Sequence, residues 1–147
     1  DEDRRIEMID FTSKFGRVVK RYLEVQYVIW LTTVDANLTP QPRPVWFIWQ
    51  DDAFLIFSKP KAHKISHITK NPKVALHFNT DETGDKHVIV FTGEAAIDPN
   101  SPAAHQVPVY FEKYKDGITD LGMTYEEFSR DYSTAIKIKP TEVRGWE

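Results

Sequence analysis

Prolines alternate through Pro40-Gln41-Pro42-Arg43-Pro44-Val45-Trp46-Phe47-Ile48-Trp49, a stretch whose other residues suit a strand. Proline cannot donate to a strand ladder, so Pro42 and Pro44 need an edge, a bulge or a break in the pairing. An opened ladder leaves backbone groups free to meet a ligand's polar edge. The same pattern also describes an irregular edge strand that resists aggregation. A second constellation, Ser58-Lys59-Pro60-Lys61-Ala62-His63-Lys64, lies where a strand ends and a helix begins. Free N–H groups and the dipole at a helix start attract anions. There the Ser58 hydroxyl and Lys64 ammonium could complete a phosphate cradle, or the run could be a solvated basic turn. His63 and His67 stand four apart, a spacing that lets two imidazoles share a metal. No third ligand is spaced near them and no His-Glu-x-x-His pattern occurs, so a surface or phosphate-facing role suits them better. Trp30, Trp46, Trp49 and Trp146 offer flat surfaces either to a planar ligand or to core packing.

The elements that must position these residues follow from periodicity. Phe11, Phe15, Val18, Val19, Tyr22 and Leu23 share one helical face, with Lys14, Arg17, Lys20 and Arg21 mostly opposite. Asp10 or Thr12 is expected to cap that helix. Gln26 to Val34, Thr39 to Trp49 and Ala53 to Ser58 read as three strands of an antiparallel meander, with turns at Asp35-Ala36-Asn37 and Asp51-Asp52. A short helix from about Ala62 to Lys70 turns Ile65 and Ile68 inward and ends at Asn71-Pro72. Lys73 to Asn79 and His87 to Ile97 follow as strands, joined by the polar loop Thr80 to Lys86. Beyond Pro99 to Pro102, Val107, Phe111 and Tyr114 stand at helical spacing. Thr124 and Glu127 have the spacing of a capping box for one more helix, and Ser133 to Lys139 makes a last strand. Six strands with few helices predict a mainly β (α+β) fold in which a barrel closes the sheet edges.

Composition narrows the function classes. The 147 residues have the length of about one domain, 1–147, and 19 aromatic residues can build a real core. A net charge of −3 gives no reason to expect a nucleic-acid partner. Cysteine is absent, which excludes disulfides, thiolate metal sites and cysteine nucleophiles. No apolar run approaches the roughly 20 residues needed to span a bilayer. The start Asp1-Glu2-Asp3 is unlike a secretory signal, so a soluble, cytoplasmic protein is expected. Serine-nucleophile elbows, Walker loops and Gly-x-Gly-x-x-Gly are missing, and Asp51-Asp52 and Glu126-Glu127 read as a turn and a helix start rather than acid–base pairs.

Taken together, the two constellations resemble the pyridoxamine-phosphate-oxidase-like flavin-binding split-barrel superfamily, over nearly the whole chain. Arg43-Pro44-Val45 matches that family's Arg-x-Val strand. Phe57-Ser58 matches its aromatic-Ser/Thr pair. Ala62-His63-Lys64 falls on its Ser-Arg-Lys helix start, with Asn71-Pro72 at the matching distance. The resemblance implies a six-stranded antiparallel split β-barrel with short flanking helices. It also implies that Ser58 and Lys64 hold a cofactor phosphate, that His63 replaces an arginine, and that the backbone from Arg43 to Trp46 lies along the ring system. Lys59 and Lys61 add positive charge for a phosphate and an acidic tail.

Departures refine this expectation. The flavin-binding oxidases proper carry a lysine shortly after Arg-x-Val, where this chain has Ile48. They also carry a late Arg-x-His pair, which is absent from Ile136 to Glu147, so activity on pyridoxamine phosphate is not expected. The phrases from Gln41 to Phe47, Pro102 to Pro108 and Val143 to Trp146 are similar to the branch that uses the deazaflavin coenzyme F-420. The resemblance therefore implies a homodimeric reductase with the cofactor at the subunit interface and hydride delivered to an unsaturated small-molecule substrate. FMN in the same fold, or a non-enzymatic flavin- or haem-binding protein, are the alternatives. The loops Thr80 to Lys86 and Asp116 to Met123 are expected to select the substrate.

Overall fold

A computed structural model describes residues 9–147; the acidic start Asp1-Glu2-Asp3 lies outside them. Helix α1 spans Lys14–Val25. Strands β1 (Val28–Val34), β2 (Pro40–Trp46), β3 (Ile48–Gln50) and β4 (Ala53–Ser58) precede α2 (His63–Lys70). Then come β5 (Lys73–His77), β6 (Val88–Ile97), a 3-10 turn at Ala104–Gln106, α3 (Pro108–Asp120), α4 (Tyr125–Asp131) and β7 (Thr134–Trp146). The strands form one antiparallel sheet in the order β2-β1-β5-β6-β7-β4-β3. Its outermost members, β2 and β3, are separated in the chain by Phe47 alone. The sheet therefore curls until its two edges meet end to end.

Seven strands, rather than the six expected, arise at that residue. The stretch from Thr39 to Trp49 divides because the backbone of Phe47 is taken by α3 instead of a neighbouring strand. The Phe47 N–H donates to the Tyr114 hydroxyl (2.8 Å), and the Lys113 ammonium donates to the Phe47 carbonyl (2.8 Å). The expected meander is likewise split: β1 pairs with β2, and β3 pairs with β4, at opposite ends of the sheet order. The prolines fit this edge position. Pro40, Pro42 and Pro44 face Val34, Thr32 and Trp30 of β1. Since none of them carries an N–H, the ladder bonds must fall at Gln41, Arg43 and Val45, and the proline carbonyls point away from the sheet.

The last strand continues well past Lys139, to Trp146. Pro140 does not end it, because the register with β6 shifts between Thr92 and Gly93, leaving Thr141 as the extra residue of a bulge. The first helix is capped by Ser13, whose hydroxyl accepts the Gly16 N–H (2.9 Å), not by Asp10 or Thr12. The Asp10 carboxylate is occupied instead by the Thr12 N–H (2.9 Å) and hydroxyl (2.6 Å). The capping box of α4 forms as its spacing predicts, with Thr124 and Glu127 each accepting the other's N–H.

Two apolar clusters lie back to back across β4. Inward residues Ile29, Leu31, Phe54, Ile56, Leu76, Phe91, Ile136 and Ile138 fill the barrel, joined by Phe15, Val19 and Leu23 of α1 and Ile68 of α2. On the outer side, Ile48, Phe57 and Ala135 pack under Tyr110, Tyr114 and Ile118 of α3 and Phe128 of α4. Both faces of β4 are thus covered, which is why its sequence Ala-Phe-Leu-Ile-Phe-Ser is an unbroken apolar run rather than an alternating one.

Candidate active site

The two constellations singled out in the sequence meet at one cleft. β4 ends at Ser58, the turn through Lys59 and Pro60 carries the chain over, and α2 begins at His63. On the far side lies the end of β2. A cleft of about 340 Å³ opens between them, within the usual range of roughly 300–1,000 Å³ for small-molecule sites. Pro44, Val45, Trp46, Phe57, Ser58, Lys59 and Lys64 all line it, as expected of a shared site.

Other expected residues sit differently. Arg43 is exposed and does not line the cleft, yet its charge acts on Lys64. Its guanidinium turns back to the Pro42 carbonyl (2.7 Å). Lys61 and His63 are exposed and outside the lining. His63 instead lies against His67, with ring centroids 6.5 Å apart. The His67 Nδ1 and the buried Thr33 hydroxyl share a hydrogen bond (2.7 Å), which ties α2 to β1. Among the described residues, no group of three histidine or acidic side chains is placed to hold a metal ion.

The opposite wall comes from α3 and α4 and carried no signal in the motif reading. Tyr110, Leu121, Phe128 and Tyr132 complete the cleft. Of the expected loop Asp116 to Met123, Asp116 to Asp120 continue α3 as helix, and only Leu121 reaches the cleft. The helices are held by aromatic packing: Trp46 stacks on Tyr114 (4.5 Å, 5°), Phe57 meets Tyr110 edge-on (4.9 Å), and Phe128 stacks on Tyr132 (4.5 Å). Gly117 allows this approach, since a Cβ there would strike the Tyr27 hydroxyl and the Trp46 ring. A density of aromatics from Tyr110 to Tyr132 is the one sequence feature that could have pointed to this wall.

Electrostatics divides the cleft into two ends. At its mouth, burial and then the neighbouring Arg43 guanidinium hold the Lys64 ammonium below the usual lysine range. No ion pair with a carboxylate relieves either cation among the described residues. Ala62 caps α2 without a side-chain hydrogen bond, and the first N–H groups of a helix have no carbonyl behind them within it. The buried Ser58 hydroxyl donates to the Lys59 carbonyl (3.0 Å), so it donates to an anion only after rotating away from that carbonyl. An anion placed here relieves the cost of holding Lys64 charged. The inner end is neutral and aromatic, suited to a flat ring system. These residues suit a group with a planar body and a phosphate.

The sequence matches the pyridoxamine 5'-phosphate oxidase family over residues 15–147. The chain belongs to that family. No curated protein matches it. Among solved structures it is similar to a conserved hypothetical protein from Mycobacterium tuberculosis (18% identity, TM-score 0.71, 98% of this chain and 89% of that one). It is also similar to an F-420 reductase (24% identity, TM-score 0.66, 84% of this chain and 94% of that one). A third is the haem storage protein of Vibrio cholerae (16% identity, TM-score 0.62, 91% of this chain and 97% of that one). Identities this low show a shared fold, and within that fold the neighbours differ in what they bind.

Proposed function

We propose that this chain is a flavin-type-cofactor-binding oxidoreductase that uses the deazaflavin coenzyme F-420 to reduce an unsaturated small molecule. The observation that carries the reading is the charge at the cleft mouth. Lys64 is a half-buried cation beside a second cation, Arg43, with no carboxylate among the described residues to balance them, at the uncapped start of α2. Such an arrangement is costly in the free protein and stabilises a bound phosphate. The F-420 reductase among the structural neighbours supports the choice of coenzyme.

The bound coenzyme would supply the hydride chemistry. The chain's own residues bind and orient. Lys64 and the first N–H groups of α2 hold the phosphate, joined by the Ser58 hydroxyl once it turns from the Lys59 carbonyl; Lys59, whose ammonium lies 5.5 Å from the Tyr132 ring centre, adds charge at the rim. Trp46, Phe57 and Phe128 confine the ring and exclude water. In the same reading a second copy of the chain completes the open side of the cleft. Support comes from the outer face of β1 and β5, where Trp30, Thr32, Ala75 and His77 have no helix over them among the described residues.

The test is a fluorescence titration with oxidised F-420 and with FMN in parallel, on the native protein and on Lys64→Ala. Tight F-420 binding that weakens about 10- to 100-fold in the variant is expected, on the scale of roughly 1.5–3 kcal/mol for hydrogen bonds to charged groups. Preferential FMN binding would replace the deazaflavin with an ordinary flavin. An unchanged dissociation constant in Lys64→Ala would remove that residue from the site.

A further inference from the structure

Tyr110 is 1% exposed, yet its hydroxyl makes no hydrogen bond among the described residues. Its neighbour Tyr114 shows what a buried tyrosine normally does: that hydroxyl accepts the Phe47 N–H and lies 2.7 and 2.8 Å from the carbonyls of Tyr27 and Phe47. Among the described residues, the one buried side-chain polar atom both sealed from solvent and unpartnered is His87 Nδ1. The Tyr110 hydroxyl, equally unpartnered, is therefore not sealed. Tyr110 borders the cleft described above. A buried polar group left without a partner costs free energy unless a ligand or water supplies one.

The surroundings decide what that partner is. The Tyr114 proton is committed to a backbone carbonyl, so Tyr110 has no donor from that side. Burial, with the hydroxyls of Tyr114, Tyr27 and Tyr132 nearby, opposes its ionisation, so it remains a donor. Phe57 and Phe128 flank it, and none of the charges acting on its ionisation is a cation. A carboxylate or phosphate placed there would be desolvated without a counter-charge. A neutral oxygen acceptor in the plane of an aromatic or conjugated ring would not.

We propose that the Tyr110 hydroxyl donates a hydrogen bond to a carbonyl oxygen of the molecule bound in the cleft, so that the site selects planar carbonyl compounds with an anion at the opposite end. The assignment rests on the oxidoreductase reading above. The carbonyl belongs either to the cofactor's ring or to a substrate lying beside it, and one experiment separates them. Tyr110→Phe removes only the hydroxyl. Native and variant proteins are titrated with FMN and with F-420, and the forms loaded with whichever cofactor binds are then titrated with menadione, a quinone. The infrared carbonyl bands of each bound probe are recorded.

If the partner is the cofactor, the variant binds FMN or F-420 about 3- to 10-fold more weakly, the scale of one neutral hydrogen bond. A ring carbonyl band moves to higher frequency, which a loss of packing would not produce. If the partner is the substrate, cofactor binding is unchanged and the menadione affinity and band shift instead. Native protein that binds a cofactor, with neither arm altered by Tyr110→Phe, overturns the role of Tyr110 and leaves the oxidoreductase reading standing. Native protein that binds neither cofactor overturns both.

Discussion

Lys113 is a residue whose environment works in two directions at once. Its ammonium donates to the Phe47 carbonyl and lies 3.9 Å from the centre of the Phe47 ring and 5.3 Å from that of Tyr114. Those faces favour the cation, whereas burial pushes its pKa down to about 8. Between pH 8 and the ordinary lysine value near 10.5, the unfolded chain holds a proton that the folded one has released. Stability therefore rises with pH across that window. Above about pH 10 the slope reverses, because burial pushes the Tyr110 and Tyr114 ionisations upward and the unfolded chain then loses protons first. Urea denaturation between pH 8 and 10 should show native protein gaining stability relative to Lys113→Met. Parallel pH profiles would mean that the aromatic faces cancel the burial.

At the scale of elements, the break between β2 and β3 is held by Tyr114. Tyr114→Phe strands the buried Phe47 N–H, while the Phe47 carbonyl keeps its bond from Lys113. A loss of about 1–3 kcal/mol is expected, the penalty for one unsatisfied buried donor; denaturant unfolding reads it directly. A change within a few tenths would show that the break stands without this hydroxyl. The break also marks where the sequence stopped being legible. Runs of β-branched and aromatic residues marked the strands, and the turn residues showed where most of them end. Phe47 interrupts nothing in that pattern, because the bonds that divide the strand come from a helix more than sixty residues away. Pro140 misled in the opposite sense, since a bulge absorbs a proline that the one-strand view treats as a stop. The cleft divides the same way. Ser58, Lys64 and Trp46 were visible because they lie in short motifs. Tyr110, Phe128 and Tyr132 were not, because an apolar helix face does not state which sheet face it covers.

For the whole molecule, the proposed pairing of two copies predicts a mass near 34 kDa by light scattering, about twice the 17.1 kDa of one chain. A mass of one chain at micromolar concentration would leave the cleft to a single copy. The sheet order has a further consequence, for the time course of biosynthesis. β7 lies between β6 and β4, pairing Ala95 and Phe54 with the same residue, Ile138. A ribosome delivers β4 and β6 long before β7 exists. Until then both present bare ladder edges and apolar faces that no local contact can cover. Such non-local pairing is slow to form, and a nascent chain in that interval is a natural client for a chaperone.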